Sequence, residues 1–467
     1  MNKNLYRYCR YYFSNYYTFP TPEFILPVYK ALEEWKNVFF EAFRYSAKTT
    51  LAQMYLNNIV ANRKRRHIMW YSDTGEGSTD NLMYVANSFI ENDRFIRDYW
   101  HLYYDENPTK FKSKTIKGKS KYITENECLL SGMSLGMSPR WKNYTATDWK
   151  YRPDLIVFDD IDTSKSARSK KIIDKNRDFL TQEVFGGINP STQLIVLGNT
   201  IYEDWLIPRL RQHFENDEDW LIIRQPIYDQ DWKIVWDRFV ETNAEAEEKN
   251  QWIKNPHFMY VSLEKERERL GSISFGQNYL LQPYVRWMVI VPLHLINKVN
   301  VDGFYFDKIR IGIDTAISKK TESDRVGMTV TWWDEWKKYV LESIKLEWQA
   351  KRMRNQIKVA KELYNKRGSH TDNISLNVET VAFQEVLADY LKEEHMAVNP
   401  IKTNRDKVTR LLEYQWEFES GNIFFNTKWC EDLIEELLAF PNWEFDDMVD
   451  SLMLSFWEEE NEWVIVA

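Results

Sequence analysis

No apolar run in this sequence approaches the ~20 residues that would span a bilayer. Its N-terminus, MNKNLYRYCRYYFSNYY, is basic and aromatic but has no signal-peptide apolar core. Neither a membrane protein nor an exported one is expected. The three cysteines, Cys9, Cys128 and Cys430, lie far apart and match no zinc or redox spacing. A reducing, cytosolic setting follows. An overall excess of positive charge is also missing: the net charge is −8, so any contact with nucleic acid must be local. There is no internal repeat, and no Lys or Arg follows Lys428; Glu458, Glu459, Glu460 and Glu462 read as a solvated end.

What is present in quantity is aromatic: 20 Trp, 27 Tyr and 25 Phe in 467 residues, most of which must fill cores. That length exceeds one core and calls for two or three domains. Residues 1 to about 35 read as helical, with a break at Pro20 and Pro22. Asn37–Ala42 reads as a strand, Lys48 to about Ala61 as a helix and His67–Tyr71 as a strand. Residues 155–160 and 192–197 add two more strands. Strands alternating with helices predict a parallel α/β sheet. The pattern weakens over 226–300, with a helix from Ser262 to Leu270. It resumes with strands at 308–314, 325–333 and 338–346, a helix over 349–366, a strand over 374–380, and helices over 383–394, 404–419 and 446–458. Three strands in succession, then alternating helix and strand, is the order of a ribonuclease-H-like mixed α/β domain. The expected units are therefore 1–225, a connecting region 226–300, and 301–467.

Between the first strand and its helix lies Ala42-Phe43-Arg44-Tyr45-Ser46-Ala47-Lys48-Thr49-Thr50. It fits the phosphate-loop pattern GxxxxGK[ST] at the Lys-Thr end, but alanines stand at both glycine positions. Backbone N–H groups at a helix N-terminus bind phosphate. Lys48 would reach the outer phosphates of ATP and the Thr49 hydroxyl would ligate Mg²⁺. Taken alone the segment is a weak signal, and a helix start with a solvated lysine is the commoner reading. About 110 residues later, Leu155-Ile156-Val157-Phe158 runs into Asp159-Asp160, the Walker B pattern. There Asp159 would hold Mg²⁺ and Asp160 would orient or deprotonate the attacking water. Glutamate is usual at the second position. A third strand end, Leu197-Gly198-Asn199-Thr200, reads either as a γ-phosphate sensor or as a plain turn.

A second set of carboxylates follows. Asp314 ends the strand Ile311-Gly312-Ile313, and Glu379 ends Leu376-Asn377-Val378. Asp446 and Asp447 open the last helix, with Asp450 one turn on. That helix carries an apolar stripe, Val449, Leu452, Met453, Phe456 and Trp457, which would pack it on the sheet. Several carboxylates from separate elements suit Mg²⁺ or Mn²⁺. Two such ions about 4 Å apart can cleave a phosphodiester. Asp446 alone would be a helix N-cap and Asp447 a first-turn charge, but neither role explains Asp314 and Glu379. The lysines at 110, 112, 114, 117, 119 and 121 read as a solvated hairpin that could meet DNA, and Arg63–Arg66 reads as a similar solvated run.

These stretches together resemble the large terminase subunit of tailed bacteriophages. AFRYSAKTT is similar to that family's variant phosphate loop, WYSDT to its next strand, and SPRWKNYTATDWKYRPDLIVFDDID to the stretch through Walker B. GNTIYED stands where its coupling motif lies. IVWDRF and LGSISFGQNYLLQP resemble its linker. IGIDTA, NVET and FDDMVDS match the three nuclease motifs, with Phe445 where His is usual. The resemblance implies an ATP-driven translocase joined to a metal-dependent endonuclease, acting on double-stranded DNA in the host cytoplasm. It implies portal protein and a small terminase subunit as partners, and a homo-oligomeric ring on the portal that need not persist in the free protein. It also implies Arg44, or else Arg140, as an arginine finger, and Asp324 as a support for the nuclease metals. A helicase–nuclease, or a nucleotide-binding scaffold with a degenerate ATPase site, are the competing readings.

Overall fold

The computed structural model describes residues 4–99, 121–124, 126–139, 142–161, 170–199, 205–283, 288–306, 308–315, 325–347, 374–379, 397–401, 405–441 and 446–457. The expected helices over 349–366 and 383–394 lie outside these residues, as do the lysines from 110 to 119 and the acidic tail. The chain divides into two compact units. One comprises Met1–Glu266 and Phe275–Tyr284; the other comprises Arg267–Ser274 and Val285–Ala467.

The first unit is built on a seven-stranded sheet. Its strands are β1 (Asn37–Ala42), β2 (His67–Ser72), β3 (Lys121–Ile123), β4 (Leu129–Ser134), β5 (Leu155–Asp159), β6 (Gln193–Gly198) and β7 (Trp220–Gln225), in the spatial order β3-β4-β2-β5-β6-β1-β7. All neighbours are parallel except β3 and β4. Both faces are covered, so the central strands are mainly apolar. Val38 and Phe40 of β1 enter one core with Tyr8, Tyr29, Leu56 and Trp70, while Phe39 enters the other with Phe158, Val196 and Leu206. The aromatic N-terminus forms helices Leu5–Tyr12 and Leu26–Glu33, which join the first of these cores.

Arg63–Arg66 is solvated only in its first half: Arg63 and Lys64 are exposed, Arg65 is part-buried. Arg66 is buried and pairs with Glu127 (3.1 Å) and Asp148 (2.9 Å), and the Arg65 guanidinium lies 4.6 Å from the centre of the Trp35 ring. A buried guanidinium needs partners, and two residues outside the strands, Glu127 and Asp148, supply them.

The second unit holds another seven-stranded sheet: β8 (Asn297–Val299), β9 (Ile309–Thr315), β10 (Arg325–Asp334), β11 (Lys337–Glu347), β12 (Ile374–Glu379), β13 (Ala397–Ile401) and β14 (Ile423–Asn426). Their order is β8-β14-β11-β10-β9-β12-β13. β9, β10 and β11 form the antiparallel meander, and β12 and β13 add to it in parallel. The expected helix over 404–419 is two shorter ones, Lys407–Glu413 and Gln415–Glu419, broken at Tyr414. The last helix, Asp447–Ser455, lies directly on β9 and β10. Two strand glycines permit this. A Cβ on Gly312 would stand 2.0 Å from the Ser451 carbonyl oxygen, and one on Gly327 would stand 2.1 Å from that of Asp447. Among the described residues no helix is long and apolar enough to cross a membrane.

Candidate active sites

The phosphate-loop segment connects β1 to the helix Lys48–Ala61 and lines a cavity of about 560 Å³ with Asp160, Gly198, Asn199 and Asn278. Arg44 through Thr50 all line it. Ala42 and Ala47, both placed where glycine is usual, differ sharply. Ala42 is the buried last residue of β1, an extended position where alanine costs nothing. Ala47 is the helix N-cap and has φ 64°, as does neighbouring Tyr45 at 65°. That left-handed turn normally calls for glycine and costs an alanine about 1–2 kcal/mol. Strain of this kind persists where the surroundings over-determine it. The Ala47 side chain can accept no hydrogen bond, so no side chain caps the first turn of the helix. The N–H groups of that turn, which have no intrahelical partner, are left to a bound anion.

Lys48 is turned back into its own loop. Its ammonium donates to the carbonyl oxygens of Ala42 (2.6 Å) and Phe43 (3.1 Å) and to Ser46 Oγ (3.2 Å). Desolvation lowers its pKa to about 8, against the opposing pull of Asp160, Asp159 and Glu41. The Thr49 hydroxyl donates to the Asp159 carboxylate, whose two oxygens both lie 3.1 Å away. Asp159 is buried at the end of β5, and burial, then the charge of Asp160, pushes its pKa up; the Thr49 hydrogen bond and Lys48 work the other way. A hydroxyl and a buried carboxylate aimed at one point, beside a lysine and a free helix terminus, are the hard oxygen donors that fit Mg²⁺ carried on a polyphosphate. Asp160 is exposed at φ 47° and lines the same cavity. The Arg44 guanidinium lies 5.2 Å from the centre of the Tyr45 ring. Thr200 and Arg140 lie outside the described residues; Asn199, next to Thr200, lines the cavity.

Sequence reasoning passed over two supports of this loop. Glu41 is fully buried in β1, and both Arg211 and Arg224 pair with it. The Asn278 carbonyl accepts the Arg44 N–H at 2.7 Å. A glutamate inside an otherwise apolar strand was the available signal for the first; nothing local marks the second.

In the second unit Asp314 is buried near the end of β9, with Gly327 as its register partner on β10. Asp447 lies over Gly327 through the close approach already noted, and its own side chain is buried. On the other side of β9, Ile313 pairs with Val378, so Glu379 follows next to Asp314 in register. Three of the predicted acids thus converge through backbone geometry alone. Among the described residues no three His, Cys, Asp or Glu side chains group closely enough to hold a metal; the Glu379 side chain and Asp324 lie outside them.

The acids of the last helix separate into distinct environments. Asp450 is fully buried and bonds to Arg410 at 2.6 Å and to Lys407. Burial pushes its carboxyl pKa up while Lys407 and Arg410 hold it down. Its lone pairs are engaged by two cations, which makes it a structural anchor. Asp446 is part-exposed and accepts from Lys407 at 2.5 Å. It stands at the N-cap position, yet its side chain makes no capping bond. Glu436, from the helix Glu431–Ala439, caps instead: one of its oxygens accepts the N–H groups of Met448 (2.8 Å) and Val449 (2.9 Å). Asn377 Nδ2 to the Leu454 carbonyl (2.7 Å) and Thr329 to Ser451 (2.7 Å) fix the same helix to the sheet.

Residues 311–459 match the model of the terminase RNaseH-like domain family. Residues 311–459 form a terminase RNaseH-like domain. In fold the chain is similar to phage large terminases. A large terminase from a thermophilic bacteriophage, solved with ATP-gamma-S, covers 93% of this chain and 98% of its own at TM-score 0.52 and 8% identity. The same protein without that ligand gives 0.51 at 9% identity over 93% and 98% of the two chains, and with ADP 0.50 at 8% over 92% and 94%. No curated protein matches the chain.

Proposed function

We propose that this protein is a DNA-packaging motor: an ATPase that drives double-stranded DNA into a procapsid and a metal-dependent endonuclease that cuts the concatemer. The observation that carries the motor half is the approach of Thr49 to Asp159 beside Lys48. In this reading Lys48, the loop N–H groups of Arg44 to Thr50, and Thr200 hold ATP. Thr49 and Asp159 hold Mg²⁺, Asp160 orients the attacking water, and Arg44 meets the γ-phosphate. In the nuclease half Asp314, Glu379 and Asp447, with Asp446 at the rim, hold Mg²⁺ or Mn²⁺, which would activate water and stabilise the leaving oxygen. Portal protein, a small terminase subunit and further copies of this chain in a ring are the partners, and the host cytoplasm is the setting.

The test separates the halves. Lys48→Ala should abolish DNA-stimulated ATP hydrolysis and leave Mn²⁺-dependent nicking of plasmid intact, while Asp314→Asn should do the reverse. Full ATPase activity in Lys48→Ala sinks the motor assignment. Unchanged nicking in Asp314→Asn sinks the nuclease assignment.

A further inference from the structure

A second cavity, of about 240 Å³, adjoins the phosphate site. Tyr45, Ala47 and Thr50 line both, so the two cavities meet at these residues. The chemistry of the two differs. The first holds Lys48, Thr49 and Asp160, whereas the second is walled by Tyr17, Phe19, Pro20, Met54 and Trp236. Its one charged lining residue is Arg238. This wall is built. The Trp236 indole N–H donates to the Pro20 carbonyl at 3.1 Å, tying the N-terminal segment to the stretch after β7, and Tyr17 and Tyr29 share a hydroxyl bond of 2.6 Å.

Arg238 is out of balance with its surroundings. It is half-buried, its Nε is buried without a hydrogen-bond partner, and no described carboxylate lies within ion-pair distance. Its guanidinium stands 6.0 Å from the centre of the Trp236 ring. Desolvation lowers its pKa, with only the Tyr45 and Tyr279 hydroxyls opposing. Arg66 shows how this chain treats a structural arginine at depth: it gives it two carboxylates. A desolvated guanidinium left without one is suited to a ligand's acceptors and π-face.

We propose that Arg238 is a nucleotide-binding residue that faces the nucleoside end, closing an aromatic slot that takes the nucleobase. The inference rests on the phosphate-loop reading, since the direction of the ligand is set by Lys48 and Thr49. With the outer phosphates at Lys48 and Asp160, the shared wall at Ala47 and Thr50 falls at the inner phosphate, and the base enters between the rings. The slot's lining includes no Asn, Gln, Asp or Glu, so the base is held by stacking and by the guanidinium.

The experiment is calorimetric titration of the full chain with Mg²⁺-ADP and, separately, with Mg²⁺-tripolyphosphate, which has no nucleoside. Arg238→Ala should weaken ADP about tenfold and change tripolyphosphate less than about twofold. Arg238→Met, which keeps the aliphatic stem and its packing, should do the same and guards against misfolding of the alanine variant. Equal loss for both ligands would make Arg238 a phosphate contact and overturn the proposal; so would no loss for either. Lys48→Ala should weaken both ligands. If it weakens neither, the phosphate-loop reading fails, which is a separate outcome from any result at Arg238.

Discussion

The Thr49 hydroxyl lies 3.1 Å from both carboxylate oxygens of Asp159, 110 residues further along the chain. The contact joins the start of a helix to the end of a strand that is not its neighbour: β6 lies between β1 and β5. A metal ion bound here would take an oxygen from each. Thr49→Ala and Asp159→Asn should each lower ATP hydrolysis by about 100-fold or more, and the double variant should fall little further, because the two act as one unit. Steady-state phosphate release at varied Mg²⁺ measures this; full additivity would show that they do not share an ion.

Ala47 stores strain that glycine would release. Ala47→Gly removes a left-handed penalty of ~1–2 kcal/mol but adds unfolded-chain entropy of ~0.4–1 kcal/mol. A net gain of about 1 kcal/mol is expected, read as a higher midpoint for the thermal transition of the first unit. A lower midpoint would show that Ala47 is not strained.

Gly327 is the hinge between register and chemistry in the second unit. A Cβ there would overlap the Asp447 carbonyl, so Gly327→Ala should move the last helix off the sheet. The expected cost is about 3 kcal/mol, as for severe overpacking, with nicking activity lost and ATP hydrolysis kept. Retained nicking would show that the acids of that helix are not needed where they stand.

Asp450 and Asp446 should part company on mutation. Asp450→Ala leaves the Arg410 guanidinium, itself buried, and Lys407 without their shared partner; breaking such a pair from one side costs about 3–5 kcal/mol. Asp446→Ala, at a part-exposed position, should cost under about 1 kcal/mol while changing the Mn²⁺ dependence of nicking. Thermal melts of both variants, with cleavage titrated against Mn²⁺, separate anchor from ligand. Equal melting points would remove the distinction.

His67 makes the first unit acid-sensitive. It is buried, and desolvation lowers its pKa to about 4, aided by Lys121 and Lys142 against a backbone bond at Tyr151. The unfolded chain takes up a proton near pH 6.5 and the folded chain does not until about pH 4. Stability is therefore full above pH 6.5 and falls as pH drops to 4, by about 3 kcal/mol. His67→Gln should flatten that slope in melts between pH 4 and 7, and an unchanged slope would assign it to other groups.

Much of this was legible in the sequence because it depended on short-range pattern. Apolar runs ending in acid marked β5 and β9, and Asn37–Ala42 and Lys48–Ala61 have the bounds that pattern predicts. The helix Gly75–Glu91 went unread: its Thr74 cap is conventional, but Gly75, Gly77, Ser78 and Thr79 hide its start. The capping carboxylate Glu436 and the anchor Arg410 for Asp450 had no local mark, and Arg238, though inside the IVWDRF stretch, had no mark of a cavity role. Each acts on a partner brought near only by the fold, and as a residue type each is an ordinary surface charge. Asp446 is the reverse case: its position suggested an N-cap, and Lys407 took its side chain instead.

The Lys48 ammonium is held by two carbonyls and a serine of its own loop, oxygen partners that need no ligand. Were a nucleotide to bind and leave as proposed, Lys48 would exchange one set of oxygen partners for another and would not be stranded as a bare cation in a dry cavity. If the chain is the ATP-driven motor proposed above, that exchange would lower the barrier to product release and favour turnover.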